Sequence, residues 1–116
     1  MASYAGHCHC GAVRFRIESE PITRGLRCNC SICARRGNVL SAAYFPPERI
    51  AVEGREALSL YQWGDRIVRF WFCRTCGIHV FHDTTEKPGW LRVNLGCVDD
   101  LDALALPIDW VDGRSF

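Results

Sequence analysis

Apolar and polar residues alternate over short stretches of this chain, and short strands are what that pattern predicts. Val13, Phe15 and Ile17 are interleaved with Arg14, Arg16 and Glu18, the two-residue period of a strand with one face in a core. Leu58, Leu60 and Gln62 alternate with Ser59, Tyr61 and Trp63 in the same way. Residues 67–72 are β-branched and aromatic and form the most strand-like segment. Further strands are predicted over 40–45, stopped by Pro46-Pro47, over 49–53, ending at Gly54, and over 78–82. Another is predicted over 90–95, with Lys87-Pro88-Gly89 as the turn before it. Helical signals are few. Residues 31–36 predict one or two turns closed by Gly37. Residues 99–104 predict a second short helix with Asp99 or Asp100 as its N-cap. The fold class that follows is mainly β, with few short helices.

Length and charge narrow this picture only a little. At 116 residues, positions 1–116 are expected to form one domain with a modest core. A formal net charge of +1 counts against a general polyanion binder and so against a nucleic-acid partner. Met1-Ala2-Ser3-Tyr4-Ala5-Gly6 lacks the basic region and apolar stretch of a secretory signal. No apolar run approaches the ~20 residues of a membrane helix, so no membrane partner is expected. A cytoplasmic location is the expectation, and reducing conditions there disfavour stable disulfides.

That expectation changes the reading of the cysteines. Seven of the eight fall into three clusters: Cys8-His9-Cys10, Cys28-Asn29-Cys30-Ser31-Ile32-Cys33 and Cys73-Arg74-Thr75-Cys76. Cysteine-dense chains in a reducing compartment bind metal. Cys73 and Cys76, with Gly77 behind them, have the form of a zinc knuckle, in which two sulfurs face one point ~2.3 Å from each. A knuckle needs a second pair, and Cys8 with Cys10 is the natural one. Cys8, Cys10, Cys73 and Cys76 are therefore assigned to one closed, structural zinc site. Cys28, Cys30 and Cys33 remain as three sulfurs, enough for one face of a tetrahedron. Their fourth corner is left to water, a substrate thiol or a protein group from elsewhere. Three anionic ligands offset much of the metal charge, so such a site is better suited to an incoming thiol than to generating hydroxide. Arg27, Arg35 and Arg36 flank it and can pair with the carboxylates of an anionic thiol such as glutathione.

The remaining candidates are weaker. Cys97, after Gly96 at an apolar strand end, reads as a buried small hydrophobe, yet it is also the candidate for the missing fourth position. His9 lies between two ligands and is expected to point away. His79 alternates with Ile78 and Val80 and is expected on the opposite strand face, while His7 and His82 read as surface residues. His79, His82 and Asp83 are candidates for a general acid only if the fold brings them to the triplet. Phe70, Trp71, Phe72, Phe81 and Trp90 read as core.

The segments Gly6–Phe15, Cys28–Gly37, Phe72–Phe81 and Arg92–Asp99 together resemble the glutathione-dependent formaldehyde-activating enzyme family, which includes centromere protein V. The order CxC, CxCxxC, FCxxCG carries the resemblance over most of the chain. It implies a β-tent, a set of mostly antiparallel small sheets with zinc at the apex. It also implies a structural zinc on Cys8, Cys10, Cys73 and Cys76 and a catalytic zinc on Cys28, Cys30 and Cys33, hence two zinc ions per chain. The implied activity is that of a carbon–sulfur lyase on S-hydroxymethylglutathione, the adduct of glutathione and formaldehyde. The alternative is a non-catalytic zinc module with two closed sites that binds a protein or nucleic acid.

Overall fold

The structure is a computed structural model that describes residues 1–114. These residues form ten strands and one α-helix, joined by 3₁₀ turns and loops. The strands are β1 (Ala2–His7), β2 (Arg14–Ser19), β3 (Gly25–Cys28), β4 (Leu40–Ser41), β5 (Ile50–Glu53), β6 (Leu58–Tyr61), β7 (Val68–Cys73), β8 (His79–Thr84), β9 (Lys87–Val93) and β10 (Ile108–Val111). The helix α1 spans Ser31–Arg36. They form three small sheets, ordered β1-β2-β5, β10-β3-β4 and β6-β7-β8-β9. Every pairing is antiparallel except that of β3 with β10. A parallel pair needs a long crossover, and these two strands stand at opposite ends of the chain.

The alternation that predicts β2 is the alternation observed. Phe15 and Ile17 are buried while Arg14, Arg16 and Glu18 face solvent. Bridges Gly6 to Val98, Leu40 to Asn94 and Phe45 to Leu91 tie the sheets around one shared core. Phe15, Ile17, Val13, Val80, Phe81 and Val93 are fully buried there. Among the described residues no helix is long and apolar enough to cross a membrane.

Several elements differ from the sequence expectation. The 99–104 helix does not form; Asp100 takes φ +57°, which breaks a right-handed helix at its first turn. A 3₁₀ turn over Ala103–Ala105 follows instead, where the Asp102 carboxylate accepts from the Leu104 N–H. The 40–45 strand shrinks to Leu40–Ser41 plus the Phe45 bridge. Lys87-Pro88-Gly89 lies inside β9, and the hairpin turns one step earlier, at Thr85 and Glu86, between paired Thr84 and Lys87. Pro88 is tolerated because β9 is an edge strand of its sheet.

Gly54 ends β5 with φ +81°, and a Cβ there would stand 1.9 Å from the Ala12 carbonyl oxygen. Backbone cannot yield as a side-chain tip can. Gly54→Ala is expected to destabilise the fold by about 2–3 kcal/mol, read as a drop in the midpoint of urea denaturation with unchanged slope.

Candidate metal centres

Each cysteine pair sits on a tight turn that sequence and hydrogen bonding fix locally. In the first, the Gly11 N–H donates to the Cys8 carbonyl and the Val13 N–H to the Cys8 Sγ at 3.4 Å. In the second, between β7 and β8, the Gly77 N–H donates to the Cys73 carbonyl at 2.8 Å, and the Cys73 N–H donates to the Ile78 carbonyl. The fold then brings the turns together. The sulfurs of Cys8, Cys10, Cys73 and Cys76 all lie within 4.8 Å of one another. Cys8 to Cys10 and Cys10 to Cys73 are each 3.7 Å. Four sulfurs ~2.3 Å from a tetrahedral centre stand roughly 3.8 Å apart, so this cluster fits a tetrahedral metal closely.

Sulfurs this close cannot all ionise unless a cation compensates them. Burial pushes the Cys76 thiol up, but the Ile78 and Cys10 N–H groups and the neighbouring sulfurs outweigh it and bring it down to about 6. The Ala12 N–H favours the Cys10 thiolate, yet burial and the sulfurs of Cys73, Cys8 and Cys76 push it up to about 11. Ionisation of one thiol thus opposes ionisation of another, a conflict that a cation among the four sulfurs would relieve.

The second cluster is local. Cys28 ends β3, Cys30 is the N-cap of α1 and Cys33 lies in its first turn, and the three sulfurs lie within 4.8 Å of one another. The Cys30 N–H donates to the Cys28 Sγ and the Cys33 N–H to the Cys30 Sγ, each at 3.4 Å. Burial raises the Cys30 thiol, but the Cys33 N–H, the sulfurs of Cys33 and Cys28 and the Ile32 N–H lower it further than burial raises it. Burial and the charge of Cys30 and Cys28 push Cys33 well above the usual thiol range. The loop is buttressed by β10, since Asn29 donates its N–H to Val111 and accepts from the Gly113 N–H through its side-chain oxygen. The sequence reading missed both β3 and β10, and with them this support.

Among the described residues no fourth cysteine, histidine or carboxylate joins the triplet. Cys97, the candidate for that place, lies elsewhere. It lines a cavity together with Cys8, and burial and the charge of Cys8 and Cys76 push its thiol up to about 12. Its Sγ stands 3.9 Å from the His79 carbonyl oxygen. A cavity of about 280 Å³ opens beside the triplet, lined by Cys30, Ile32, Trp63, Ile67, Val68 and Phe70 among others.

The histidines correct two expectations. His9 is exposed, and His7 makes a 3.4 Å contact to Asp99, as surface residues do. His79 and His82, in contrast, are both buried, at 8% and 6% exposure. Their rings stack at 6.0 Å against Phe70. Two residues three apart in a regular strand face opposite ways. Here the register with β7 shifts between Trp71 and Phe72, so that Trp71 pairs with Phe81 and Phe72 with His79. The extra residue, Val80, puts both histidines on one face. The His79 Nδ1 lies 3.0 Å from the Asn38 side-chain nitrogen, and the His82 Nε2 lies 3.2 Å from the Tyr44 hydroxyl. Asp83 is fully committed, accepting from Arg69, from the Trp71 indole N–H at 3.1 Å and from the Gly89 N–H at 3.0 Å. It holds the sheet and has no proton to lend.

Comparison with known proteins gives the family. A family model described as glutathione-dependent formaldehyde-activating enzyme matches residues 3–110. The chain belongs to that family. A Halomonas elongata protein named "Putative glutathione-dependent formaldehyde-activating enzyme" is 40% identical over 60 residues, which are 49% of this chain and 38% of that protein. The match thus spans well under half of the relative's length. A crystal structure of a Rhodobacter sphaeroides protein superposes with a TM-score of 0.78 at 35% identity, over 92% of this chain and 99% of that one.

Proposed function

We propose that the protein is a zinc-dependent carbon–sulfur lyase acting on a thiol adduct such as S-hydroxymethylglutathione, in a reducing compartment such as the cytoplasm. The observation that carries this reading is the three-sulfur cluster with a cavity at Cys30. Cys8, Cys10, Cys73 and Cys76 would hold a structural zinc, because four mutually close sulfurs make a complete donor set without an outside ligand. Cys28, Cys30 and Cys33 would hold a second ion, and a set of only three sulfurs would leave it open to a substrate thiol. When bound there, zinc supplies a position that lowers the pKa of an incoming thiol.

The chain's own residues do the rest. The N–H groups of Cys30 and Cys33 donate to the sulfurs of Cys28 and Cys30 and fix their direction. Trp63, Ile67, Val68 and Phe70 wall the cavity and keep water from the reacting carbon. In the synthetic direction the thiol sulfur attacks the carbonyl carbon, the carbonyl π pair moves to oxygen, and the proton lost from sulfur ends on that oxygen. Lysis breaks the same carbon–sulfur bond and returns thiol and aldehyde.

The test is release of formaldehyde from S-hydroxymethylglutathione, followed by NMR with zinc content measured in parallel. Cys30→Ser is expected to lower turnover by roughly a hundredfold or more while the fold survives. Full turnover by that variant overturns the reading.

A further inference from the structure

Three arginines flank the triplet in sequence, and the structure separates them. The Arg27 Nη2 donates to the Gly37 carbonyl at 2.7 Å, and the Arg35 Nη1 to the Ser31 carbonyl at 2.8 Å. Both are engaged in holding the backbone of α1 and its C-terminal cap. Arg36 is different. Among the described residues its guanidinium has neither a hydrogen-bond acceptor nor a carboxylate partner, although the residue is half-buried. Its guanidinium carbon lies over the Phe70 ring, 4.6 Å from the centroid. Phe70 also lines the cavity that Cys30 opens into. Arg36 follows Cys33 by three positions in the helix, so the two side chains are neighbours on one face.

No nitrogen of this guanidinium is both buried and unpartnered, so its N–H groups are open to an anion arriving from solvent, while the Cys33 and Cys30 sulfurs lie near enough to act on its charge. Contact with the Phe70 ring restrains the guanidinium before any ligand arrives, which reduces the entropy lost on binding. We propose that Arg36 is a specificity-determining residue that receives the carboxylate of the thiol substrate at the mouth of the Cys30 cavity. The inference rests on the lyase reading for the identity of the thiol, but the anion subsite itself does not require turnover. The substrate class it selects is a thiol, or its carbonyl adduct, that carries a carboxylate within a few bonds of sulfur.

The experiment pairs two ligands with two variants of the zinc-loaded protein. Binding of S-methylglutathione, which has no free thiol, is measured by calorimetry beside binding of its diester. Kinetics with S-hydroxymethylglutathione are measured beside those of its diester adduct. Arg36→Gln is expected to weaken S-methylglutathione binding about tenfold and to raise KM for the acid substrate by a similar factor, with kcat unchanged. The diesters are expected to bind the variant and the native protein alike. Arg36→Lys should recover part of the loss, because charge is kept and the bidentate fork is not. Equal loss for acid and ester, or zinc content reduced in Arg36→Gln, overturns the proposal by assigning Arg36 to the charge balance of the sulfur cluster. Unchanged S-methylglutathione binding overturns it too. If the native protein turns over neither substrate yet binds S-methylglutathione in an Arg36-dependent way, the lyase reading falls and the subsite stands.

Discussion

Cys73→Ser is expected to yield a protein that does not fold, whereas Cys33→Ser yields a folded protein that has lost one metal. The two substitutions remove the same atom from clusters of different architecture. Cys73 is fully buried at the end of β7 and joins a turn 63 residues away in sequence, through Cys10. A metal held there closes a long loop between β1–β2 and β7–β8. Structural zinc in small domains supplies on the order of 10 kcal/mol of apparent binding free energy, and a domain's net stability is only about 5–15 kcal/mol. Losing one of four ligands removes most of that contribution. It also leaves the other three sulfurs crowded and partly ionised in a buried place. Cys33 belongs to a cluster contained within six residues, so its loss opens no long loop. The measurement is far-ultraviolet circular dichroism and thermal unfolding, with zinc per chain by atomic emission. A folded, cooperative Cys73→Ser protein at one zinc per chain would show that hydrophobic packing around Phe15, Phe81 and Val93 suffices without the first site. Titration of the native protein with a strong chelator should show the same division. The triplet metal leaves first with little change in dichroism, and unfolding accompanies loss of the second.

What the sequence shows of this molecule depends on how local each feature is. The cysteine clusters are legible because short turns set their geometry: two or three residues bring sulfurs together whatever the rest of the chain does. The strand β2 is legible because one of its faces is solvated, so Arg14, Arg16 and Glu18 write its period. β8 is predicted as a strand over 78–82, but the facing of its residues is not legible, because five of its six residues are buried and a bulge interrupts the period. The alternation that would put His79 opposite Ile78 and Val80 therefore misplaces it, and nothing in a run of buried residues marks His82 as internal. β3 and β10 are four residues each and meet only through a parallel pairing across the length of the chain. Neither has a pattern of its own. Cys97 shows the same limit. A lone cysteine carries no spacing, and only the folded chain shows it lining a cavity with Cys8 rather than joining the triplet. The three arginines at the triplet are equivalent in sequence and distinct in space, because the path of α1 over Phe70 decides which one is left without an acceptor.

The buried histidines are expected to give the protein a steep acid limit that is separable from any metal at the cysteine clusters. Burial, with the charge of Arg36 and of His82, depresses His79 to about 2. Burial, with Arg92 and Arg36, depresses His82 to about 4. In the unfolded chain both titrate near 6.5. Above that pH both are neutral in both states and contribute no pH dependence. As pH falls below about 6.5 the unfolded chain takes up two protons that the folded chain refuses, so stability drops. Each histidine contributes a slope of about 1.4 kcal/mol per pH unit, or roughly 2.7 for the pair, until His82 protonates in the folded state near pH 4. Over the two units from pH 6 to pH 4 the loss is about 5 kcal/mol, comparable to the whole stability of a small domain. Asp83 acts in the same direction but lower. Its folded pKa lies below the ordinary 3.8, because Arg69, the Gly89 N–H and Trp71 outweigh burial, so its stabilisation is lost only as pH falls further. Protonation of the cysteine ligands and release of metal also weaken the fold in acid, and a substitution separates the two effects. Urea denaturation is followed from pH 7.5 to pH 4.5 for the native protein and for His82→Gln, which has no imidazole to charge. The variant is expected to be less stable at pH 7.5, because the contact with the Tyr44 hydroxyl is altered, yet its stability should fall only half as steeply below pH 6.5. If the slopes are the same, sulfur and metal alone set the acid limit, and the His79–His82 pair accepts protons in the folded state more readily than its burial implies.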